Sequence, residues 1–341
     1  MKKFALVLML GMAAPAALYA AGQEKKAPPA AVSFDDSKTA FQEGNQALKE
    51  NRWAEAAADY AAAEKLASSD QAKSRAANAQ GYAYLKARKY KEAKEAFGRA
   101  VGYDPSNKVA LSNAGCASSK LYEYGLGGVE ELKEAVKQFE ACNALDASYK
   151  PDFLEKAKAD LAKEESYAQA KPAADPDLKS MDYKSLIALG DKEQSEGRFD
   201  AALKAFKQAE AVGVSDKSKG AAANRQGRAL LDARRNQEAT PHFERAVQYQ
   251  PEEKVYLNNL GQSHWVTYDS GKGTVEDLKK AVENFQKANE IDASFHKENL
   301  TMALEELQQV DAEAAKAYAS NKEAGADDES ASEDGASDKK N

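Results

Sequence analysis

Side chains that could do acid–base or metal chemistry are few in this chain, and they are widely spaced. The three histidines are His242, His264 and His296, and their spacing matches no metal-binding motif. An enzyme needs an acid, a base or a nucleophile that converge on one point. The histidine spacing indicates no such grouping. We therefore predict a protein that is not an enzyme and that uses no metal and no cofactor.

The two cysteines, Cys116 and Cys142, are too few for a disulfide-framework protein of 341 residues. The distance between their Cα atoms decides whether they can form a disulfide, and a sequence does not give that distance. Two alternatives stay open. They are separate thiols, with one filling a small core position, or they are paired in an oxidising compartment.

A glycine-rich stretch, GLGG at residues 125–128, has the composition of a phosphate-binding loop. Such a loop follows a strand and is usually completed by Lys and Ser or Thr, and neither feature is present here. Glycines also favour a turn that ends one helix and begins the next. We predict a turn at this position.

The clearest helical pattern in the chain lies in residues 74–107. Apolar or small residues recur there at every third or fourth position, which predicts two amphipathic helices. A basic turn at residues 87–89 separates them, and Pro105 follows the end of the second helix. Small residues at the predicted contact would let the two helices approach closely.

This segment resembles the tetratricopeptide repeat, a unit of about 34 residues that folds as helix–turn–helix. The family pattern has a small residue early in the unit, then Tyr, Ala, Phe, Ala and Pro. These positions are occupied at the expected spacing by Gly81, Tyr84, Ala93, Phe97, Ala100 and Pro105. The resemblance implies an all-α solenoid of antiparallel helix pairs, in which each unit buries the apolar face of its neighbour.

The pattern of residues 37–161 recurs in residues 183–307. A shift of 146 positions aligns the two segments without a gap, and it places Gly44 on Gly190 and Phe97 on Phe243. We therefore expect a tandem duplication of a three-unit module. In each module an amphipathic helix would follow the third unit and cover its last apolar face.

The N-terminus has the form of a secretory signal peptide. Lys2 and Lys3 precede an apolar run, and small residues follow it at a predicted cleavage site. The alternative is an uncleaved anchor, but the run is short for a membrane span and contains Gly11 and Pro15. We expect an exported, soluble protein of the periplasm or the extracellular space, with no stable membrane span after cleavage.

Composition and pattern divide the chain into six segments. They are a signal peptide (1–21), a flexible lead-in (22–36), a first module (37–170), a linker (171–182), a second module (183–320) and a disordered acidic tail (321–341). The tail has no large apolar residue and is typical of solubilising tails, although binding to basic proteins or cations stays an alternative. The formal net charge is −7, and no basic patch with interleaved aromatic residues stands out, so we expect no nucleic-acid partner.

In proteins that resemble this one, the first helix of each unit lines a concave groove. Asparagines there would suit a peptide backbone, because each side chain can both donate and accept, and Tyr82 and Trp265 could be aromatic anchors. The alternative is that Asn78 and Asn224 form hydrogen bonds within the scaffold and that Trp265 packs against the glycine-containing loop of its unit, at residues 268–276. The candidate groove residues are Phe41, Asn45, Asn78, Tyr82, Leu85, Asn224, Arg228, Asn258, Gln262 and Trp265.

One version of this fold clamps the C-terminal carboxylate of a peptide with Lys, Asn and Arg side chains. Asn45 matches that set, but Phe41, Ala79, Val109 and Asn113 occupy the other positions. We therefore do not expect that specificity here.

The function that the resemblance implies is a non-catalytic scaffold of the cell envelope, which binds a protein or peptide on its concave faces. The rival hypothesis is a periplasmic binding protein for a small apolar ligand. Self-association through an uncovered end of the solenoid is a third alternative.

Overall fold

The computed structural model describes residues 37–169, 176–312, 314, 315 and 318. The expected signal peptide, the lead-in and the acidic tail lie outside these residues. Within them the chain forms fourteen α-helices and one short 3₁₀ helix, with no strand. The predicted all-α fold is therefore confirmed.

The first seven helices form one set. Their bounds are α1 (Ser37–Lys49), α2 (Trp53–Leu66), α3 (Asp70–Lys86), α4 (Tyr90–Tyr103), α5 (Lys108–Glu123), α6 (Val129–Leu145) and α7 (Pro151–Ala168).

The other seven helices form a second set, which the 3₁₀ helix Leu178–Ser180 precedes. Each helix in it begins 146 positions after its counterpart in the first set, as Ser37 and Tyr183 illustrate. Their bounds are α8 (Tyr183–Ser195), α9 (Phe199–Val212), α10 (Asp216–Asp232), α11 (Asn236–Tyr249), α12 (Lys254–Asp269), α13 (Val275–Ile291) and α14 (Lys297–Val310).

Within each set, every helix packs against the next one in sequence. The first six helices form three antiparallel pairs that stack side by side. The seventh helix, α7 or α14, packs against the second helix of the third pair. It therefore covers an apolar face that would otherwise be exposed at the end of the stack.

A glycine in the first helix of each pair lies against an aromatic ring in the second helix. At Gly81, for example, an added Cβ would stand 2.6 Å from the ring of Phe97. The missing side chain lets the two helices approach until the ring fills the space between them. The six pairs are Gly44–Tyr60, Gly81–Phe97, Gly115–Phe139, Gly190–Phe206, Gly227–Phe243 and Gly261–Phe285.

The turn predicted at residues 125–128 is present between α5 and α6. Gly125 has a φ of +64°, and its counterpart after α12, Gly271, has a φ of +74°. This left-handed conformation has a low energy for glycine and is strained for other residues. The loop after α5 and the loop after α12 therefore both depend on glycine at this point.

Candidate binding surface

The ten candidate groove residues lie on the first helices of four pairs, α1, α3, α10 and α12. Two of them, Tyr82 and Arg228, are exposed, and they occupy equivalent positions on α3 and α10. Buried members are Asn224, Asn258 and Trp265. Half-buried members are Phe41, Asn45, Asn78, Leu85 and Gln262.

The asparagines of α3, α10 and α12 are held by amide partners on the neighbouring helix of the stack. Asn113 donates to the side-chain oxygen of Asn78 over 3.0 Å, and Asn259 donates to Asn224 over 2.7 Å. Asn258 accepts from Asn299 of α14 over 2.9 Å. These bonds connect successive units, and they agree with the alternative in which Asn78 and Asn224 serve the scaffold. A role of these residues in binding a partner stays a prediction.

The first pair holds its two candidates in a similar way. The hydroxyl of Tyr60 donates to the side-chain oxygen of Asn45 over 2.9 Å. The ring of Phe41 lies 5.1 Å from the ring of Tyr60, so both candidates contact the same tyrosine.

Trp265 faces the last helix of its set. Its indole Nε1 donates to a carboxylate oxygen of Glu306 on α14 over 2.6 Å. Its ring meets Phe285 edge-on, with the ring centroids 6.2 Å apart. Trp265 is only 7% exposed because α14 covers it, which a sequence pattern confined to one unit does not reveal.

The two helix sets contact each other through the turns between the helices of a pair. Arg88, in the turn between α3 and α4, stacks its guanidinium on the ring of Tyr268, with the central carbon 3.9 Å from the ring centroid. Arg234, in the equivalent turn of the second set, stacks on Tyr122 at 4.8 Å. Each set therefore contributes the same two positions, and the arginine of one set stacks on the tyrosine of the other.

Contacts between a glycine of one set and a backbone carbonyl oxygen of the other set are reciprocal in the same way. Gly271 lies against the carbonyl oxygen of Arg88, where an added Cβ would stand 2.7 Å away. A Cβ added at Gly125 would lie even closer to the carbonyl oxygen of Arg234. A side chain at either glycine would separate the two sets.

Two further hydrogen bonds link the sets at equivalent positions. The hydroxyl of Tyr90 donates to the backbone carbonyl of Asp269 over 2.6 Å. The side chain of Asn236 donates to the backbone carbonyl of Glu123 over 3.4 Å. Such a two-way arrangement is the geometry of a symmetric dimer interface, here within one chain.

Charges at this contact are distributed unequally. Arg88 forms ion pairs with Glu306 and with Asp269, the second at 3.5 Å. Arg234 forms no ion pair within the described residues, but it donates to the hydroxyl of Tyr122 over 3.3 Å. Burial raises the pKa of Glu306 above its usual range, although Arg88 and Trp265 oppose that shift by stabilising the carboxylate.

Sequence reasoning did not predict this contact, although it identified residues 87–89 as a basic turn. A usable signal was present, because the same shift of 146 positions pairs Arg88 with Arg234 and Tyr122 with Tyr268. Arginine and tyrosine side chains stack favourably, so these two recurring pairs indicate a possible contact between the two helix sets.

Both cysteines are free thiols in the structure. Burial raises the pKa of Cys116 to about 11, so this thiol is protonated at neutral pH. The Sγ of Cys142 donates to the backbone carbonyl of Lys108 over 3.3 Å, and burial also raises its pKa. Neither environment favours a reactive thiolate.

The part of the chain that the structure describes contains no group of three or more His, Cys, Asp or Glu side chains that could hold a metal ion. Burial lowers the pKa of both His242 and His264, so neither imidazole is charged at neutral pH. Among the described residues, no helix combines the length and the apolar character that a membrane crossing requires.

Several solved structures resemble the chain at low sequence identity. The TPR2AB domain of yeast Sti1 in a complex with pHSP90 is 17% identical, with a TM-score of 0.33, and the match covers 78% of this chain and 98% of that one. YrrB, described as a TPR protein with an unusual peptide-binding site, is 15% identical, with a TM-score of 0.30 and coverages of 76% and 96%. The MamA protein is 14% identical, with a TM-score of 0.28 and coverages of 64% and 90%. No curated protein matches the chain.

The family profile described as "Tetratricopeptide repeat" matches residues 41–107, 78–117, 187–248 and 224–293. Together these matches cover more than half of the chain and fall in both helix sets. They include five of the six pairs in which a glycine lies against an aromatic ring, such as Gly81 with Phe97, and omit only Phe139 of the Gly115 pair. The chain therefore belongs to the tetratricopeptide repeat family.

Proposed function

We propose that this protein is a non-catalytic scaffold of the cell envelope, which binds a protein or peptide on the surfaces formed by α1, α3 and α5 and by α8, α10 and α12. The observation that carries the proposal is the exposure of Tyr82 and Arg228 at equivalent positions of the two helix sets. The helices that carry them are fixed by buried contacts of Gly81 with Phe97 and of Gly227 with Phe243. Rigid helices with an exposed aromatic ring and guanidinium suit partner binding, because Tyr and Arg are enriched among binding hot spots.

The proposal includes an origin by tandem duplication of a three-unit module. It is supported by the constant shift of 146 positions between the two sets of helix starts, such as Ser37 and Tyr183. It is supported equally by the reciprocal stacking of Arg88 on Tyr268 and Arg234 on Tyr122. The envelope location rests on the signal-peptide pattern of residues 1–21.

A crosslinking pull-down from the cell envelope of the source organism, read by mass spectrometry, tests this function. We expect one enriched protein partner with the unmodified chain and its loss with the double variant Tyr82→Ala/Arg228→Ala. The matched control is Lys91→Ala/Gln237→Ala, which changes exposed, equivalent positions on the second helices α4 and α11.

The outcomes separate clearly. A folded protein that enriches no partner contradicts the scaffold function, and equal enrichment with both double variants contradicts the proposed surface. The same mass spectra give the N-terminus of the mature protein, which we expect near residue 22. An intact Met1 would contradict export by a cleaved signal.

A further inference from the structure

A small cavity of about 210 Å³ lies where the first helix pair meets α14. Helices α1, α2 and α3 supply most of its wall, and α14 supplies one residue. The residues that line it are Leu48, Lys49, Asn51, Trp53, Tyr82, Lys86 and Gln309.

The protein contains a second copy of this site that is already filled. The counterparts of Asn51 and Trp53 in the second set are Gly197 and Phe199. The ring of Tyr167, from α7, meets the ring of Phe199 edge-on with the centroids 5.4 Å apart. It also lies directly over Gly197, where an added Cβ would be only 2.3 Å from it. The second set therefore has an aromatic ring at this point of the fold, where residue 197 has no side chain. In the first set Asn51 has one, so a ring there has to lie beside Asn51 and not over it.

The first set has no aromatic residue at the position that would supply an equivalent ring. The position that corresponds to Tyr167 is Glu313, which is not aromatic and lies outside the described residues. Trp53 is half-buried and Tyr82 is 40% exposed, so both rings offer apolar surface to a group that enters the cavity.

The charge around the cavity also differs between the two sets. Lys49 and Lys86 are both exposed at its rim, and neither forms an ion pair within the described residues. Their counterparts are Ser195 and Asp232. At these two positions the first site carries two positive charges, whereas the second has one neutral and one negative side chain, beside Arg228 at the position of Tyr82.

We propose that this cavity binds a peptide segment in which an aromatic side chain is flanked by acidic side chains. The ring would enter between Trp53 and Tyr82, beside Asn51, and would meet Trp53 as the ring of Tyr167 meets Phe199. The flanking carboxylates would meet Lys49 and Lys86. A cavity of about 210 Å³ is smaller than the roughly 300–1,000 Å³ of ordinary ligand pockets, so it suits one side chain. The inference rests on the proposed scaffold function and specifies the chemistry of its partner.

The test is a fluorescence anisotropy titration of the full mature chain with the labelled peptide Gly-Asp-Phe-Asp-Gly, capped at both ends. Two matched peptides carry Ala in place of Phe, or Asn in place of both Asp. We expect saturable binding of the first peptide and at least about tenfold weaker binding of each control peptide. We also expect the affinity to fall as salt is raised, because the lysines are exposed.

Variants of the protein locate the site. Lys49→Glu/Lys86→Glu and Trp53→Ala should each weaken binding at least about tenfold. The control Lys204→Glu/Lys207→Glu makes the same charge change at exposed positions of α9 and should leave binding unchanged. Circular dichroism verifies that each variant is folded.

Several results would overturn the proposal. They are the absence of saturable binding up to about 1 mM peptide, an affinity that is unchanged in Lys49→Glu/Lys86→Glu, or binding that appears only after residues 319–341 are removed. The last result would make the acidic tail the occupant of the cavity. If the peptide fails while the pull-down still enriches a partner, the scaffold function stands and only this inference falls.

Discussion

Arg88 stacks on Tyr268 at 3.9 Å, and this contact joins the first helix set to the second. The same guanidinium pairs with Glu306, which also accepts a hydrogen bond from Trp265. One arginine in a turn therefore contacts both the third unit of the second set and α14. Its counterpart Arg234 stacks on Tyr122 without an ion pair among the described residues.

We expect Arg88→Ala to lower the free energy of unfolding by about 2–4 kcal/mol, because it leaves the half-buried carboxylate of Glu306 without its cation. Arg234→Ala removes a cation–π contact and one hydrogen bond, so we expect a loss of about 1–2 kcal/mol. Urea unfolding followed by circular dichroism measures both values. Equal losses for the two variants would contradict the unequal distribution of charge at the contact.

The double variant Arg88→Ala/Glu306→Gln is the control for this interpretation. Glutamine keeps an acceptor for Trp265 but removes the unpaired charge, so the double variant should be more stable than Arg88→Ala alone. A double-mutant cycle gives the coupling between the two side chains. If the two single losses simply add, the ion pair does not stabilise the contact.

The second prediction concerns glycines on the neighbouring helices α3 and α4. Substitution by alanine should change the stability of the protein in opposite directions at Gly81 and Gly98. At Gly81 an added Cβ would stand 2.6 Å from the ring of Phe97, whereas at Gly98 no atom lies within 4 Å. We expect Gly81→Ala to destabilise the protein by about 1–3 kcal/mol through overpacking. Gly98→Ala should stabilise it by about 0.5–1 kcal/mol, because alanine loses less conformational entropy in a helix.

Thermal unfolding of the two variants beside the unmodified chain measures these effects. Gly102→Ala serves as a second control, since its added Cβ would also meet no atom within 4 Å. A stabilising effect of Gly81→Ala would show that the helices of this pair can separate at little cost, against the packing described above.

The helix pairs could be predicted from sequence because their signals are local. Gly81 and Phe97 belong to one unit, and a glycine–aromatic contact of this kind recurs in each of the six helix pairs that the structure describes. The contact between the sets is different in kind. Arg88 and Glu306 are 218 positions apart, and neither residue type indicates burial. Their pairing depends on how two complete modules dock, which helical periodicity does not encode.

The exposure of single side chains in the candidate groove could not be predicted from the sequence either. Family spacing placed Tyr82 and Trp265 on the corresponding face of their helices, but only Tyr82 is exposed. Trp265 is covered because α14 contributes Glu306 to the same region. The position of a covering helix decides exposure, and it has to be seen in the structure.

Asp59 gives a prediction about pH. This carboxyl is 8% exposed in α2, and burial raises its pKa to about 6, with further contributions from Glu55 and Glu43. The equivalent position in the second set is Ala205, so the fold does not require a carboxylate here. A carboxyl with a raised pKa binds its proton more tightly in the folded state than in the unfolded state. Its contribution to stability therefore falls as pH rises from about 4 to about 6, and the loss is complete above pH 6.

We expect Asp59→Asn to stabilise the protein by about 1–3 kcal/mol at pH 7.5 and to have little effect at pH 4, where the wild-type carboxyl is protonated in the folded state. Urea unfolding at the two pH values measures the difference. Asp216→Asn, at an exposed acidic residue of α10, is the control for the general effect of removing one negative charge. A gain of equal size at both pH values would mean that the buried charge of Asp59 is not what costs stability, because a pH-independent gain cannot come from a group that titrates between them.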